Sequence, residues 1–503
     1  MNYRIRRFCF ISLFIFLAGL RPLVAQEYVG GLISENTVYT PALNPYIVIE
    51  PLIVPEGITL TIMPGTELYF MIRTSLRIEG GTLLAEGTPE NQILFDAHNP
   101  SGEADKKWDG INLFVSRTVV DEDGNYLGGN LIRHALIRQT TTALVLSDTA
   151  LIHAPDTRIM NSDYGVYLQS GASLVLRNSV IDACSYGMYI KNSGDNIISG
   201  CQVTNCDIGI FFPSNNISRN NRITDNNLSF NRNIALFMSI GQGNIQHNLI
   251  AGNTVAFNNI GLHIGNGGTN DPGYNNINNN VIKNNDIGLK LSQDADTVKG
   301  NLIELNETGL MLSKAAVSSI EGNTIRLNTG WGMLMTDGSN SNLIKGNNIY
   351  DNAAGIRVTH KDFKYSVNNL FEFNMVSGNA EEAFLFEAGP QLGIHNNSIQ
   401  GVRDTAIVVN RFETDLHAEG NYWFTSDTLV IDSLIYDMFD QPELGEVIYK
   451  PFLDQPDPVV PISRPRMVVK RQVGPDVLVN WLPNAESDLA ARRERRHHAR
   501  GAD

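Results

Sequence analysis

The stretch GNNIYDNAAGIRV, residues 346–358, places several asparagines around isolated apolar residues and ends in a short strand that begins with glycine. Asparagine and glycine are poor helix formers, and the apolar residues do not follow the 3.6-residue period of a helix. No matching second strand follows within a short turn, so a hairpin is not indicated. The stretch defines an architecture only if it recurs at a fixed interval, because repeats can stack on copies of themselves.

The short strand that begins with Gly or Ala does recur, and we call its copies the anchor strands. They begin at Ala143, Gly165, Gly187, Gly209, Ala235, Gly261, Gly288, Gly309, Gly332, Gly355, Ala383 and Ala406. Successive starts lie 22, 22, 22, 26, 26, 27, 21, 23, 23, 28 and 23 residues apart. Many anchors also have an apolar residue six positions earlier: Ile159, Ile181, Val203, Val255, Ile282, Ile303 and Ile349. One unit has too few apolar residues to form a core alone, so the units must stack.

A period near 22 residues fits either a leucine-rich repeat or a parallel β-helix. The leucine-rich frame and its helical half are absent from the sequence. The repeat therefore predicts an all-β fold, a right-handed, single-stranded parallel β-helix of about a dozen or more coils. Asparagine suits such a fold because it tolerates left-handed turns and because stacked amides can hydrogen bond from coil to coil.

Segments at both ends of the repeat resemble known β-helix proteins. LIVPEGITLTIMPGTELYF (52–70), GGTLLAEGTPENQILF (80–95) and KKWDGINLF (106–114) look like opening coils, and GNYWF (420–424) looks like part of a closing segment. The resemblance is to the broad group of pectate-lyase-like enzymes and periplasmic copper-site maturation proteins, over about residues 50–456. It implies the fold, but its motifs do not specify an activity.

The N-terminus has the pattern of a signal peptide. Arg4, Arg6 and Arg7 precede the apolar run Phe8–Leu20, and Ala25 is a small residue suited to cleavage. We therefore expect a signal peptide over 1–25 and a protein that is secreted or held at the cell surface. No later stretch is long enough to span a membrane. The net charge of −15 argues against nucleic acid as a partner.

The remaining chain divides at about residue 457. Residues 26–456 are predicted to form the β-helix with an N-terminal cap and a closing segment. Residues 457–503 begin with a proline-rich linker, and GPDVLVNWLPNAESDLA (474–490) resembles the first strands of a fibronectin type III domain. The basic run ARRERRHHARGAD follows where another strand should lie. We therefore expect an incomplete β-sandwich module with an aberrant tail from a frameshift or a truncated gene.

The middle residue of each anchor strand should point outward, because its neighbours on either side point into the core. Along the rod this row reads Val145, Tyr167, Tyr189, Phe211, Phe237, His263, Lys290, Met311, Leu334, Arg357, Leu385 and Val408. Tyr167, Tyr189, Phe211, Phe237 and His263 are the candidate carbohydrate-binding residues, since sugar rings pack on exposed aromatic faces. Alternatively a loop, the C-terminal segment or a second chain covers this face, as the aliphatic members of the row would favour.

A second row directly precedes the anchor strands and carries acids: Asp163, Asp207, Asp286, Glu307, Glu381 and Asp404. They could hold Ca²⁺ or lie in solvent as turn residues, and the uncharged residues between them favour solvent. Asp121, Asp123 and Asn125 resemble half of a calcium loop, but Asp123-Gly124 favours a hairpin turn. The histidines occupy different positions of the repeat, so no metal site and no cofactor other than a possible Ca²⁺ is predicted.

Cys184 and Cys206 both lie three residues before an anchor glycine, so they should stack in adjacent coils. Their spacing allows either a disulfide or two small buried thiols.

Our hypothesis from the sequence is a polysaccharide-binding protein that uses the aromatic row and the loops of 265–280 and 359–369. Two alternatives stay open. One is a polysaccharide lyase or glycoside hydrolase, for which the sequence shows no paired carboxylates beside a basic residue and hence no catalytic residue. The other is a structural or adhesive rod without a ligand site. The oligomeric state is not predicted.

Overall fold

The anchor strands form one of three parallel columns in a β-solenoid of about 16 turns, which confirms the predicted parallel β-helix. The computed structural model describes residues 26–99, 106–115, 118–239, 244–265, 272–401, 406–463, 466–473 and 476–482. The predicted signal peptide and the basic tail lie outside these ranges. Within them, no helix has the length and hydropathy of a membrane span.

Each coil runs from an anchor strand to a second strand, then to a third, and back to the anchor column. The anchor column consists of Leu76–Glu79, Ile111–Phe114, Thr142–Ser147, Tyr164–Leu168, Tyr186–Ile190, Ile208–Phe212, Ile234–Met238, Ile260–Ile264, Ile287–Leu291, Thr308–Ser313, Trp331–Thr336, Ala354–Val358, Phe384–Phe386, Val408–Asn410 and Ile435–Tyr436. The 15-stranded second column consists of Thr37–Tyr39, Thr59–Ile62, Thr82–Glu86, Leu131–Arg133, Leu151–Pro155, Ser173–Arg177, Ile197–Ser199, Arg222–Thr224, Leu249–Ala251, Asn276–Asn278, Thr297–Lys299, Ser319–Glu321, Leu343–Lys345, Leu370–Glu372 and Gly393–His395. The third column consists of Glu67–Phe70, Ile93–Ala97, Ala135–Arg138, Arg158–Met160, Val180–Asp182, Gln202–Thr204, Asn227–Ser229, Thr254–Ala256, Val281–Lys283, Leu302–Glu304, Thr324–Arg326, Asn348–Tyr350, Met375–Asn379 and Ser398–Gly401.

The N-terminal end is closed by Glu27–Leu32, which pairs with the long strand Tyr46–Pro55, and by a short 3-10 helix, Pro41–Leu43. The long strand pairs in turn with both the third and the anchor columns. The C-terminal closing segment contains the helix Thr428–Ser433 and the parallel pair Leu416–His417 and Val447–Ile448. Among the described residues, further strand pairs outside the three columns are Val119–Val120 with Tyr126–Gly128, Ser218–Arg219 with Ile245–Gln246, His360–Lys361 with Lys364–Tyr365, and Arg466–Val473 with Asp476–Leu482.

The core consists of the inward residues of all three columns. Every apolar residue predicted six positions before an anchor is fully buried, and so are Ile356 and Val358 of the opening stretch. Glycine begins many anchor strands because the coils approach closely there. A Cβ on Gly187 would lie 2.4 Å from the carbonyl oxygen of Gly209 in the next coil. The anchor glycine is therefore set by the stacking distance.

Buried asparagines stack from coil to coil, as the sequence predicted, and they form three ladders, one at each corner of the coil. Each side-chain Nδ2 donates to the Oδ1 of the ladder residue in the next coil. The first ladder contains Asn196, Asn221, Asn248 and Asn275, and resumes at Asn342 and Asn369. The second contains Asn226, Asn253, Asn280, Asn301, Asn323, Asn347, Asn374, Asn397 and Asn421. The third contains Asn231, Asn258, Asn285, Asn306, Asn328, Asn352 and Asn379.

The left-handed turn residue is the one before the ladder asparagine. Asp351 has φ 57° and Asn352 is buried behind it. Leu305, Leu327 and Phe257 adopt the same conformation without being asparagine or glycine. The ladder therefore imposes the turn, since these residue types rarely adopt positive φ by themselves.

One register expectation was wrong. Leu385 of the outward row pairs with Val409, and Val408 pairs with the inward Phe384 and is fully buried. The backbone N–H groups of Ala383 and Phe384 both donate to the carbonyl of Ile407, at 2.9 Å each. This irregularity shifts the last coil by one residue, as a bulge does.

The insertion of 118–130 is a hairpin, as the sequence favoured. Val119–Val120 pairs with Tyr126–Gly128, and Gly124 has φ 79° in the turn. Asp121 accepts hydrogen bonds from the backbone of Asp123 and Asn125, which holds the turn and lowers the pKa of Asp121. The carboxylate acts as a turn acceptor here, with its hydrogen bonds coming from the loop itself.

The segment after residue 456 returns to the solenoid. The side-chain amide of Asn348 donates to the carbonyl of Ile462 at 2.7 Å. Beyond it, Arg466–Val473 and Asp476–Leu482 form one antiparallel hairpin. A β-sandwich start is not confirmed, and the fibronectin-like module stays a prediction.

Candidate functional site

Tyrosines from two adjacent coils form the centre of an aromatic surface on the anchor column. Tyr167 and Tyr189 stack with ring centroids 4.9 Å apart, and Tyr164 stacks on Tyr186 at 5.1 Å. The two stacks meet edge to face, with Tyr164 5.8 Å from Tyr167. The sequence did not predict that Tyr164 and Tyr186 belong to this surface, because each anchor strand was taken to begin at the glycine that follows them.

The column continues with Phe211, whose ring lies 5.4 Å from that of Tyr189, and Phe237, 5.3 Å further on. We call Tyr164, Tyr167, Tyr186, Tyr189, Phe211 and Phe237 the aromatic panel. All six side chains are partly exposed, so the predicted outward direction is confirmed for Tyr167, Tyr189, Phe211 and Phe237. Ring stacking along the rod stabilises the panel without burying it.

His263 follows Phe237 in the outward row but does not belong to the exposed panel. It stacks on Phe237 at 4.6 Å and is only 8 % exposed, so its predicted outward exposure was wrong. Its Nε2 is buried with no hydrogen-bond partner in the described part of the chain. Burial, and secondarily the positive charge of Lys290, lowers the pKa of His263 to about 4. His263 is therefore a neutral spacer between the aromatic and the charged parts of the row.

A polar cleft of about 820 Å³ lies beside the panel, at the turns that join the third column to the anchor strands. It is lined by Tyr69, Asp96, Ala97, Asn99, Lys107, Arg138, Gln139, Asn161, Ser162, Asp163, Ala183, Cys184, Ser185, Asn205, Asp207 and Arg232. Asp163 directly precedes Tyr164 and Ser185 directly precedes Tyr186. The cleft and the aromatic panel are therefore neighbouring parts of one surface. We call the cleft the charged cleft.

Three ion pairs form the walls of the charged cleft. Asp96 is 4 % exposed and accepts from Nε and a terminal nitrogen of Arg138, both at 2.7 Å. Lys107 pairs with Asp163, and Arg232 pairs with Asp207 at 2.6 Å. The two acids of the predicted acidic row that lie here are thus paired with cations, so their charge is compensated without a metal ion.

Tyr69 contributes a hydroxyl group to the same cleft. Its hydroxyl donates to Oε2 of Glu67 at 3.2 Å. Burial first, and then the charge and hydrogen bond of Glu67, raise the pKa of Tyr69. The hydroxyl therefore stays protonated at neutral pH, with its proton donated to Glu67 and its oxygen able to accept a hydrogen bond.

Cys184 lines the charged cleft and Cys206 lies behind it in the next coil; both are buried free thiols. The Cys184 and Cys206 thiols donate to the backbone carbonyls of Asp182 and Thr204 at 3.5 and 3.3 Å. The contact between the two thiols lowers the pKa of Cys184 and, together with burial, raises the pKa of Cys206. Cys201, another buried thiol, lies at a different corner, where burial raises its pKa to about 11. The disulfide between Cys184 and Cys206 stays a prediction.

Toward the C-terminal end of the rod, the outward row carries a charged residue, Arg357, in place of the aromatic residues. Arg357 donates to Oε2 of Glu387 from Nε at 2.8 Å and from a terminal nitrogen at 2.6 Å, and it lies 5.8 Å from the ring centre of Trp331. Arg411 approaches the other oxygen of Glu387 at 3.6 Å. A second cleft of about 760 Å³ lies nearby, lined by Glu381, Glu382, Ala406, Val409, Arg411, Tyr436, Gln441 and Leu444.

The two predicted edge loops differ. His360–Lys361 and Lys364–Tyr365 form a projecting hairpin with Phe363 83 % exposed at its tip. Of the other loop, residues 266–271 lie outside the described ranges, and Asn276–Asn278 is an ordinary strand of the second column. Only the hairpin therefore projects from the rod within the described parts of these two loops.

These features define a parallel β-solenoid with a partly exposed aromatic surface beside a charged cleft. Residues 110–242 and 241–428 match the family model described as periplasmic copper-binding protein (NosD). The matches cover more than half of the chain, which therefore belongs to the NosD family. No curated protein matches it.

Solved structures with a similar fold include the periplasmic alginate epimerase AlgG, at 13 % identity and TM-score 0.28 over 72 % of this chain and 76 % of that one. The A-module of the mannuronan C-5 epimerase AlgE4 from Azotobacter vinelandii has 14 % identity and TM-score 0.30 over 75 % and 90 %. Pectate lyase Pel9A has 13 % identity and TM-score 0.27 over 68 % and 70 %. Likeness at these values says nothing about activity.

The family description names copper, which prefers sulfur and imidazole ligands. Among the described residues, no three His, Cys, Asp or Glu side chains form a metal-binding group. His395 and His417 both approach Glu419, but the two ring nitrogens of His395 lie 3.2 and 3.3 Å from the carbonyls of Glu419 and Leu392. Cys184 and Cys206 bring two sulfurs together, which suits a two-coordinate soft cation and no ion that needs more ligands.

Proposed function

We propose that this chain is an exported protein that binds polysaccharide along the aromatic panel, with the charged cleft holding the hydroxyl groups of the same sugar chain. The observation that carries the proposal is the shared edge between the two surfaces. Tyr164 and Tyr186 belong to the panel, and Asp163 and Ser185 next to them line the cleft. A ligand that has both flat apolar faces and many hydroxyls fits this combination, and pyranose chains have both.

The dimensions of the panel suit a linear polymer. Tyr167, Tyr189, Phe211 and Phe237 lie on four consecutive coils, so the row extends roughly 15 Å at about 4.8 Å per coil. The row runs along the rod axis, and the described coils continue in both directions. A polymer could therefore lie lengthwise along the exposed ring edges of the panel, since consecutive rings stack on one another along the rod.

The charge of the cleft favours a neutral polysaccharide. Its three cations, Lys107, Arg138 and Arg232, are each paired with a carboxylate, which leaves no excess positive charge. The whole chain carries −15, so a polyanionic chain would be repelled at long range. Paired carboxylates and guanidinium groups still present acceptors and donors to vicinal hydroxyls.

The test is binding of the full chain to immobilised neutral and acidic polysaccharides. The double variant Tyr167→Ala/Tyr189→Ala should lose at least about tenfold in affinity, since two stacking surfaces are removed. The matched control is His247→Ala/Tyr274→Ala, which removes an exposed stacked pair, with rings 5.4 Å apart, from the corner between the anchor and second columns. Equal affinity of both variants and the unchanged chain, or no binding by any of them, would overturn the proposal.

An enzyme is the second candidate, favoured by the buried carboxylate of Asp96 beside Arg138 and the protonated Tyr69 in the same cleft. Such a group could hold or move a proton on a bound sugar. Release of reducing ends or unsaturated products from a bound polysaccharide, lost in Tyr69→Phe and Asp96→Asn, would support it. Polysaccharide binding without release of any product would support the binding function and count against the enzyme.

A further inference from the structure

The two thiols beside the charged cleft stand in a geometry that the asparagine ladders define. Asp182 pairs with Thr204, and Tyr186 pairs with Ile208, so Cys184 and Cys206 lie in register on adjacent coils. Cys206 occupies the position equivalent to the third-ladder residue Asn231, one coil earlier. Its backbone N–H donates to Oδ1 of Asn231 at 3.2 Å. The two sulfurs therefore point along the same inner corner as the ladder amides.

A disulfide fits this arrangement poorly. Side chains in register on parallel strands leave the backbone in nearly the same direction, so their Cβ atoms stay about one strand spacing apart, roughly 4.8 Å. A disulfide needs Cβ atoms about 3.8 Å apart and sulfurs about 2.05 Å apart. Both coils are fixed by strand pairs and ladder bonds on either side, so closing that distance would distort the stack.

An ion between the sulfurs needs no such movement. A metal–thiolate bond is about 2.3 Å long, so a linear two-coordinate ion separates its two sulfurs by about 4.6 Å. That separation is close to the coil spacing. Soft thiolate ligands select Cu(I) among the biological transition metals.

We propose that Cys184 and Cys206 form a two-coordinate site for a soft monovalent cation of the Cu(I) type, entered from the charged cleft. The ion displaces one proton from each thiol, and both protons leave to solvent through the cleft. The bis-thiolate complex carries one net negative charge. No electron is transferred in this step.

The surroundings suit that complex. Cys184 lines the cleft and so gives the ion a path to the otherwise buried pair. The family description mentions copper, but nothing assigns these two residues to it. The site is independent of the proposed polysaccharide binding.

Cys201 provides a matched control within the same chain. It is a buried thiol whose sulfur donates to the carbonyls of Leu176 and Ser199 at 3.5 and 3.4 Å, and it lies at a different corner from Cys184 and Cys206. Serine is an acceptable replacement at the other two positions, because Ser162 occupies the equivalent position one coil earlier and accepts from the Thr140 hydroxyl at 2.7 Å.

The test is an anaerobic titration of the fully reduced chain with Cu(I), supplied as its acetonitrile complex, against a chromophoric Cu(I) chelator. The unchanged chain and Cys201→Ser should bind one equivalent, confirmed by native mass spectrometry. Cys184→Ser and Cys206→Ser should each bind at least about tenfold more weakly. Far-ultraviolet circular dichroism of all four checks that the solenoid is intact.

Two outcomes would overturn the site. One is equal Cu(I) affinity in all four proteins, which would place any copper elsewhere. The other is a mass two hydrogens lower in protein isolated without reductant, with Cys184 and Cys206 unreactive toward a thiol reagent after unfolding while Cys201 and Cys9 react, since that would show a disulfide. The Cu(I) affinity does not depend on whether the panel variants bind polysaccharide. Either proposal can therefore be overturned without affecting the other.

Discussion

The inner corners and the outer anchor row of this solenoid follow the same repeat, but they vary to different degrees. The second ladder has asparagine at every coil from Asn226 to Asn421, and all of these residues are buried. The outer row, over nearly the same coils, changes from tyrosine and phenylalanine to His263, Lys290 and finally Arg357. Uniform positions hold the stack together, whereas the variable positions are where a ligand could be recognised. Substitutions at the two kinds of position should therefore affect different quantities.

The largest effect on folding should come from breaking a ladder in the middle. The Oδ1 of Asn301 accepts from both the N–H and the Nδ2 of Asn280 at 2.9 Å, and its own Nδ2 donates to Ile277 O and to Asn323 Oδ1. Asn301→Ala leaves several buried groups without partners, each worth about 1–3 kcal/mol. We expect the free energy of unfolding to fall by about 3–5 kcal/mol, measured by urea denaturation.

The control for that measurement is Asn259→Ala, an exposed asparagine one residue after a ladder position. It should change the free energy of unfolding by no more than about 0.5 kcal/mol. If the two variants unfolded at the same urea concentration, the ladder amides would not hold the stack together. Because a solenoid need not unfold in one step, the comparison rests on midpoints followed by the same probe.

The second prediction concerns Asp296, which follows Asn275 in the gap of the first ladder before Asn342. Asp296 is 1 % exposed; its Oδ1 accepts from the N–H of Asn275 at 2.8 Å and from Nδ2 at 3.1 Å, and Oδ2 has no partner among the described residues. Burial raises the pKa of Asp296 to about 7, although the bonds from Asn275 oppose the shift. The folded protein therefore holds a proton that the unfolded chain releases near its ordinary pKa of 3.8.

Because the folded pKa is the higher one, the contribution of Asp296 to stability is complete below about pH 4 and is lost as the pH rises through about 7. Asp296→Asn restores a neutral amide at this position. It should raise the free energy of unfolding by about 1–3 kcal/mol at pH 8 and by much less at pH 5. Asp225→Asn, at an exposed turn, is the control and should show the same difference from the unchanged chain at both pH values. A gain independent of pH in Asp296→Asn would contradict the protonated carboxyl.

The third prediction moves to the outer row. Tyr189 stacks on Tyr167 and meets Tyr164 and Tyr186 edge to face, but it stays partly exposed. Tyr189→Ala should lower the free energy of unfolding by about 1 kcal/mol, the value of one aromatic pair, and should weaken polysaccharide binding severalfold. Tyr189→Phe keeps the ring and should retain both. The unfolding midpoint and the affinity are measured on the same preparations. If the loss of affinity simply followed the loss of stability, the outer row would not have a role in binding separate from its role in folding.

The sequence was most informative where the repeat is uniform. Alignment on the recurring Gly or Ala that begins each anchor strand predicted which residues pair from Thr142–Ser147 to Ala354–Val358. Close stacking favours a small residue there, as at Gly187, where a Cβ would lie 2.4 Å from the carbonyl oxygen of Gly209. The prediction slipped at Val408 because two N–H groups share the carbonyl of Ile407, a local irregularity that no residue type announces. It also placed His263 outside, because alternation along a strand does not report what covers the strand.

The charged cleft could not be found in the repeat frame. Its cations come from three unrelated places: Lys107 precedes the first aligned anchor, Arg138 lies in the third column, and Arg232 lies in a turn. Asp163 and Asp207 were noticed as a row, but their partners lie 56 and 25 residues away in the sequence. Stacking turns such distances into contacts, and only the register of every intervening coil shows which pairs meet.

The smallest effect on folding should come from an ion pair of the cleft. The Arg232 side chain is 79 % exposed and that of Asp207 40 %, so their contact at 2.6 Å is screened by water and contributes at most about 0.5 kcal/mol. Arg232→Gln should therefore leave the unfolding midpoint unchanged. It should still weaken binding of a neutral polysaccharide about two- to tenfold, because guanidinium donors to sugar hydroxyls are lost. Arg133→Gln, which breaks the exposed pair with Glu86 on the second column, is the control. Equal binding by both variants would remove the charged cleft from the polysaccharide site and leave the aromatic panel alone.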